Sequence, residues 1–174
     1  MQNFLIYRQK ATENNMDIDP QYIKYSKKII LMGKKDQEIL RKYNIINNEI
    51  IELQKKNTEE LKKIIKQIGW PKTSIVGKEA SLYAWLIIQH SDFDLSFQEE
   101  VLNILKLISE TENTNMQIAY LEDRVLINKH LPQIYGTQFK IKNGIKIPHK
   151  ITDIKNVNKR RSEMGLNKLE DYIK

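Results

Sequence analysis

Apolar positions recur at helical spacing along most of this chain. From Tyr22 to Met32 and again from Asp36 to Ile68 they repeat every three or four residues, as in Ile46, Ile50, Leu53 and then Leu61, Ile64, Ile65, Ile68. That spacing predicts a long helix, or two helices broken near Asn57-Thr58. Gly69 is placed to stop it and Pro71 to prevent its resumption. The next segment, roughly Ile75 to His90, is apolar on nearly every face and belongs at the centre of the fold. Asp94 is positioned as an N-cap for a helix through Ser109, and Asn115 for another to about Lys129.

The period then changes to two. Phe139 to Pro148 alternates Ile with Lys around Asn143-Gly144 and predicts a β-hairpin. A two-residue loop would put its apolar residues on opposite faces. A three-residue loop pairs Ile141 with Ile145 and Phe139 with Ile147 on one face, so burial favours the three-residue register. Ile154 to Met164 reads as helix ending at Gly165, and Leu169 to Lys174 as a short final helix. The expected fold is mainly α, a single helical bundle domain over residues 21–174 with a small C-terminal β-hairpin near 139–148. Residues 1–20 lack sustained periodicity and read as a flexible arm, which Asp19-Pro20 ends.

Composition narrows the function classes. A chain of 174 residues holds one domain with a real core. No apolar run approaches the roughly 18 residues of a membrane span, and no extended apolar stretch with a cleavage site follows the N-terminus. A soluble, cytoplasmic protein is expected, although a chain trimmed of a signal would read the same. With no cysteine, disulfides, thiolate nucleophiles and cysteine-bound zinc are excluded. The net charge of +7 is discounted, because lysines run along the whole chain among Glu and Asn. A nucleic-acid surface needs basic residues gathered on one face. Nucleic acid is therefore not the expected partner; a small-molecule ligand or a protein is.

Candidate chemistry lies in polar groups set among apolar ones. Asp123 sits among Ala119, Tyr120, Leu126 and Ile127, so its carboxylate must be paired or protonated. It reads either as a buried tie or as a catalytic carboxylate, with Arg124 as an anion clamp. His90 ends the central helix beside Gln89, and either favours the helix dipole or acts as a general base. Gln133, Tyr135, Thr137 and Gln138 lie on a helix-to-strand loop that can hold a ligand or satisfy neighbouring backbone. Trp70 reads as a core plug. No His-x-x-x-His spacing, Gly-x-Ser-x-Gly frame or Walker pattern is present, so no metal site, serine nucleophile or cofactor is expected.

The ordered set Asn57-Thr58, Gly69-Trp70-Pro71, Val76-Gly77, Glu79-Ala80, Ala84-Trp85-Leu86, Gln89-His90, Asp92, Gln98, Tyr120-Leu121, Asp123-Arg124 and Gln133 to Gln138 resembles a bacterial family catalogued as a domain of unknown function. The resemblance runs from about Asp36 into the tail Asn156 to Arg161 with Gly165-Leu166. It implies a shared, largely helical domain and makes the polar set a candidate common site, but it supplies no activity. Two functions follow as expectations. One is a pocket of these polar residues, His90 and Asp123 catalytic, that binds or hydrolyses a small anionic or amide-bearing ligand. The other is a non-catalytic interaction module, of immunity or adaptor type, whose buried polar residues are structural.

Overall fold

The computed structural model describes residues 18–43, 46–112, 114–143 and 145–172. The expected arm therefore lies outside the described residues as far as position 17. The protein is mainly helical, with one two-stranded antiparallel hairpin towards the C-terminus. The chain parts into two compact units, one ending at Phe93 and the other starting at Asp94.

The first unit contains α1 (Pro20–Lys42), α2 (Asn48–Ile68), α3 (Thr73–Val76) and α4 (Lys78–Gln89). Pro20 opens α1 and the Asp19 carboxylate accepts from Gln21 N–H, a favourable N-cap. The helix passes without interruption through positions 33–35, and Gly33 lets α4 approach. A Cβ at Gly33 would stand 2.1 Å from Tyr83 Cδ1. Ser26 donates to the Val76 carbonyl at 2.8 Å and Asp36 meets His90 further along, so α1 and α4 run in the same direction. On the same argument α2 runs antiparallel to α1, with Tyr25 reaching Gln67 and Asn57 reaching the Met32 carbonyl.

Of the two alternatives at Asn57-Thr58 the unbroken helix holds, but its start differs: the chain turns between Lys42 and Asn48, where the Asn47 side chain caps Ile50 N–H. Both residues are buried within α2 and bonded. Thr58 Oγ1 donates to the Gln54 carbonyl one turn back and also lies 2.6 Å from Ser91 Oγ. Polar residues that resemble a loop are here tied across helices. Gly69, at φ 71°, ends α2 as its position predicts, and Trp70 beside it is buried. Gly77, at φ 81°, divides the expected 75–90 helix into α3 and α4. From Ala80 to Gln89 every residue of α4 is buried, as its apolar character requires.

The second unit contains α5 (Leu95–Leu107), α6 (Ser109–Glu112), α7 (Asn115–Asn128), β1 (Phe139–Lys142), β2 (Ile145–Pro148), a 3-10 turn (Ile154–Asn156), α8 (Val157–Glu163) and α9 (Leu169–Tyr172). Asp94 caps α5 by accepting from Phe97 N–H. α5 and α7 pack antiparallel, since Lys106 pairs with Glu122 and Asn128 donates to Gln98. Leu105 and Leu121 are fully buried between such polar rims. Each contributes about 1.5–3 kcal/mol by leaving water.

The hairpin corrects the expected register. Lys142 pairs with Ile145 and Ile141 with Lys146, so the loop has two residues rather than three. Burial was the reason to prefer the longer loop, yet Ile141 is 73% and Ile145 64% exposed. With little burial at stake, turn chemistry decides. Asn143 adopts φ 53°, the left-handed conformation a two-residue hairpin loop requires. Gly144, expected to carry that conformation, lies outside the described residues.

Candidate functional site

Asp123, on α7, is completely buried and reaches forward to the loop at 133–138. Its Oδ1 accepts from Ile134 N–H at 2.7 Å and Tyr135 N–H at 3.0 Å. Its Oδ2 accepts from Thr137 N–H at 2.8 Å and Thr137 Oγ1 at 2.9 Å. A carboxylate has about four lone-pair positions, and all four are occupied. Burial pushes this carboxyl above its ordinary range, while the bonds from Tyr135, Thr137 and Ile134 pull it back. A proton could enter only by displacing a donor, so the group has no acceptor left for a substrate.

The rest of the loop is clasped as fully. Gln133 lies at its start with its side chain folded as a short surrogate strand. Its Nε2 donates to the Gln138 and His149 carbonyls, and its Oε1 accepts from Gln138 N–H, each at 2.9 Å. Arg160 Nε donates to the Ile134 carbonyl at 3.0 Å, and Arg161 Nη1 to the Tyr135 carbonyl at 2.7 Å. Tyr172 Oη donates to the Thr137 carbonyl. Arg161 is 1% exposed, with its guanidinium 5.1 Å from the Tyr172 ring centroid. Burial lowers its pKa, opposed by Tyr120, Tyr172 and Asp123. Gly136, at φ 71°, has space for no side chain, since a Cβ would lie 2.8 Å from Ile151 Cδ1 and 2.9 Å from Leu169 Cδ1.

The remaining expected residues of this unit rim the clasp. Arg124 donates to Gln138 Oε1 at 3.3 Å, and Gln138 Nε2 reaches Thr137 Oγ1 and the Tyr120 carbonyl. Tyr135 Oη donates to Glu122 at 3.2 Å. Burial first, then the Glu122 charge, raises the Tyr135 phenol well above its usual value. Asp123, Arg124, Gln133, Tyr135, Thr137 and Gln138 are thus gathered in one network.

Gln89 and His90 belong to the first unit. His90 Nδ1 lies 2.7 Å from Asp36 Oδ2, and the two side chains are 21% and 1% exposed. The carboxylate that orients His90 is therefore Asp36, which the sequence reading did not single out. Gln89 is buried, and its Nε2 makes no hydrogen bond among the described residues. Glu79, in the first turn of α4, pairs with Lys34. Among the described residues no three His, Cys, Asp or Glu side chains are gathered to hold a metal, and no helix is long and apolar enough to cross a membrane.

Arg160, Arg161 and Tyr172 were missed as site residues. A signal existed: the chain has only five arginines against many lysines, and Arg124, Arg160 and Arg161 all serve this loop. A guanidinium fork can hold several carbonyls at fixed angles, which an ammonium cannot.

Residues 43–174, which include the clasped loop and every residue that holds it, match a family of unknown function, DUF6624. The chain belongs to that family. The DUF6624 match also takes in Gln89 and His90 but not Asp36. No curated protein matches the chain. No solved structure matches it either.

Proposed function

We propose that this DUF6624 protein is a non-catalytic interaction module whose buried polar residues brace a loop, rather than an enzyme working through Asp123. The observation that carries this reading is the saturation of the Asp123 carboxylate by four donors of the loop it holds. A catalytic carboxylate needs a lone pair within reach of the reacting proton. Asp123→Asn tests it, because an amide presents an N–H to donors that need an acceptor. The module reading predicts a loss of about 3–5 kcal/mol, as for a broken buried charge interaction, which is a fall in melting temperature of ~10 °C or more. A variant that melts with the parent removes the reading.

The Asp36–His90 pair favours a second reading, the small anionic or amide-bearing ligand. A carboxylate that holds Nδ1 leaves Nε2 as the proton acceptor, and His90 is partly exposed. Here His90 is the base and Asp36 its positioning residue. The parent would hydrolyse members of a panel of small esters and amides, and His90→Asn, whose amide nitrogen stands where Nδ1 does and keeps the bond to Asp36, would slow that by about 100-fold or more with the melt retained. A parent with no turnover on the panel removes this second reading.

A further inference from the structure

Although lysines occur along the whole chain, the surplus charge is concentrated. Residues 124–152 contain no Asp or Glu and carry Arg124, Lys129, Lys140, Lys142, Lys146 and Lys150, so the remainder of the chain is close to neutral. Three of these lysines are on the hairpin. Its register places Lys140, Lys142, Ile145 and Ile147 on one face, and all four are exposed. The opposite face is anchored: Phe139 packs edge-on against Tyr172, and Lys146 reaches the Tyr172 carbonyl.

The main chain of β1 is also open. His149 N–H donates to the Gln138 carbonyl, making Gln138/His149 a hydrogen-bonded pair. Antiparallel pairs alternate, so Phe139/Pro148 and Ile141/Lys146 are the non-bonded pairs, whose N–H and C=O groups point away from the partner strand. Phe139 and Ile141 therefore present two donors and two acceptors along the outer edge of β1. Among the described residues nothing bonds to these groups. The edge of β2 is weaker, because Pro148 has no N–H.

We infer that β1 is a docking edge for an extended, acidic segment of a partner protein, which adds to the hairpin as a third strand. This rests on the interaction-module reading and names its partner class. Main-chain bonds to Phe139 and Ile141 supply the pairing, while Lys140 and Lys142 select carboxylates on the incoming strand. A second copy of this chain is the wrong occupant, since β1 against β1 sets lysines beside lysines. Nucleic acid is disfavoured by the side chains on offer. The exposed hairpin face carries isoleucine and lysine, whereas single strands are held by aromatic stacking. The clasped loop fixes the start of β1 through Gln138, so little order is lost on docking.

The full chain is titrated with four fluorescent probes: a peptide alternating glutamate and valine, the same peptide N-methylated on alternate residues, polyuridine, and vesicles of anionic phospholipid. The expected result is binding of the first alone, weakened by salt. Ile141→Pro removes an outward N–H and no ladder bond, as Pro148 already does on β2 across from Phe139, so the hairpin is retained and affinity falls about tenfold or more. Lys140→Glu with Lys142→Glu abolishes binding while the melt stays that of the parent. Equal binding of the methylated peptide, preference for polyuridine or vesicles, or no peptide binding overturns the docking edge and leaves the module reading to its own test at Asp123. Turnover of a probe instead overturns the module reading.

Discussion

Residues 133–138 and residues 139–148 adjoin in sequence and use their main chains in opposite ways. In the first segment the amides of Ile134, Tyr135 and Thr137 end on Asp123, and the carbonyls of Ile134, Tyr135 and Thr137 end on Arg160, Arg161 and Tyr172. In the second, β1 carries main-chain groups that point outward, and Ile141, Ile145 and Ile147 are exposed. Polar residues concentrated in apolar sequence invite a catalytic reading, yet here they satisfy the backbone of a loop that has no regular secondary structure of its own. The segment that looks like ordinary amphipathic hairpin is the one whose bonding capacity is unspent.

The contrast can be broken most severely at its centre. Asp123→Asn is expected to cost about 3–5 kcal/mol, read in a denaturant melt, with Asp123→Ala at least as harmful. Arg161→Met should follow at about 1–3 kcal/mol, because it removes the buried guanidinium that holds the partly buried Tyr135 and Asn167 carbonyls. Arg161→Lys should recover little of that loss, since an ammonium cannot span both carbonyls. Gly136→Ala should cost about 1–3 kcal/mol from its left-handed conformation and its contacts with Ile151 and Leu169. At the other extreme, Ile141→Thr and Ile145→Thr on the hairpin should stay within about 0.5 kcal/mol of the parent. A hairpin variant as damaging as Gly136→Ala would erase the distinction between the segments.

Much of the scaffold was legible in the sequence. Apolar period located α2, α4, α5 and α7, and Gly69 and Gly165 marked stops where the backbone takes positive φ. Asp94 caps α5 as expected, but Asn115 is not the cap of α7: it lies inside the helix, and Thr114 precedes it without a side-chain cap bond. Two of the failures share a cause, a partner distant in sequence. Asn57 and Thr58 looked like a break because their acceptors and partners, Met32 and Ser91, lie on other helices or beyond. The burial of Asp123 followed from its apolar neighbours. Its partners did not, because backbone amides carry no sequence signature. The hairpin register was misjudged by assuming that its isoleucines are buried. Averaging lysines over the whole chain likewise hid the acid-free run at 124–152, although it is plain in the sequence.

His90 shows the same limit in the first unit. Its position at the end of α4 was evident, but its carboxylate, Asp36, belongs to α1, a helix whose path across Gly33 the pattern had interrupted. Asp36→Asn should therefore reorient His90 and destabilise the first unit.

The central claim is that polar residues at 123 and 133–138 exist to hold backbone, and amide hydrogen exchange measures that directly. The amides of Ile134, Tyr135 and Thr137 should exchange as slowly as those of the buried helix α4, while Ile141 N–H exchanges near the rate of an unprotected chain. Loop amides that exchange as fast as Ile141 would contradict the account.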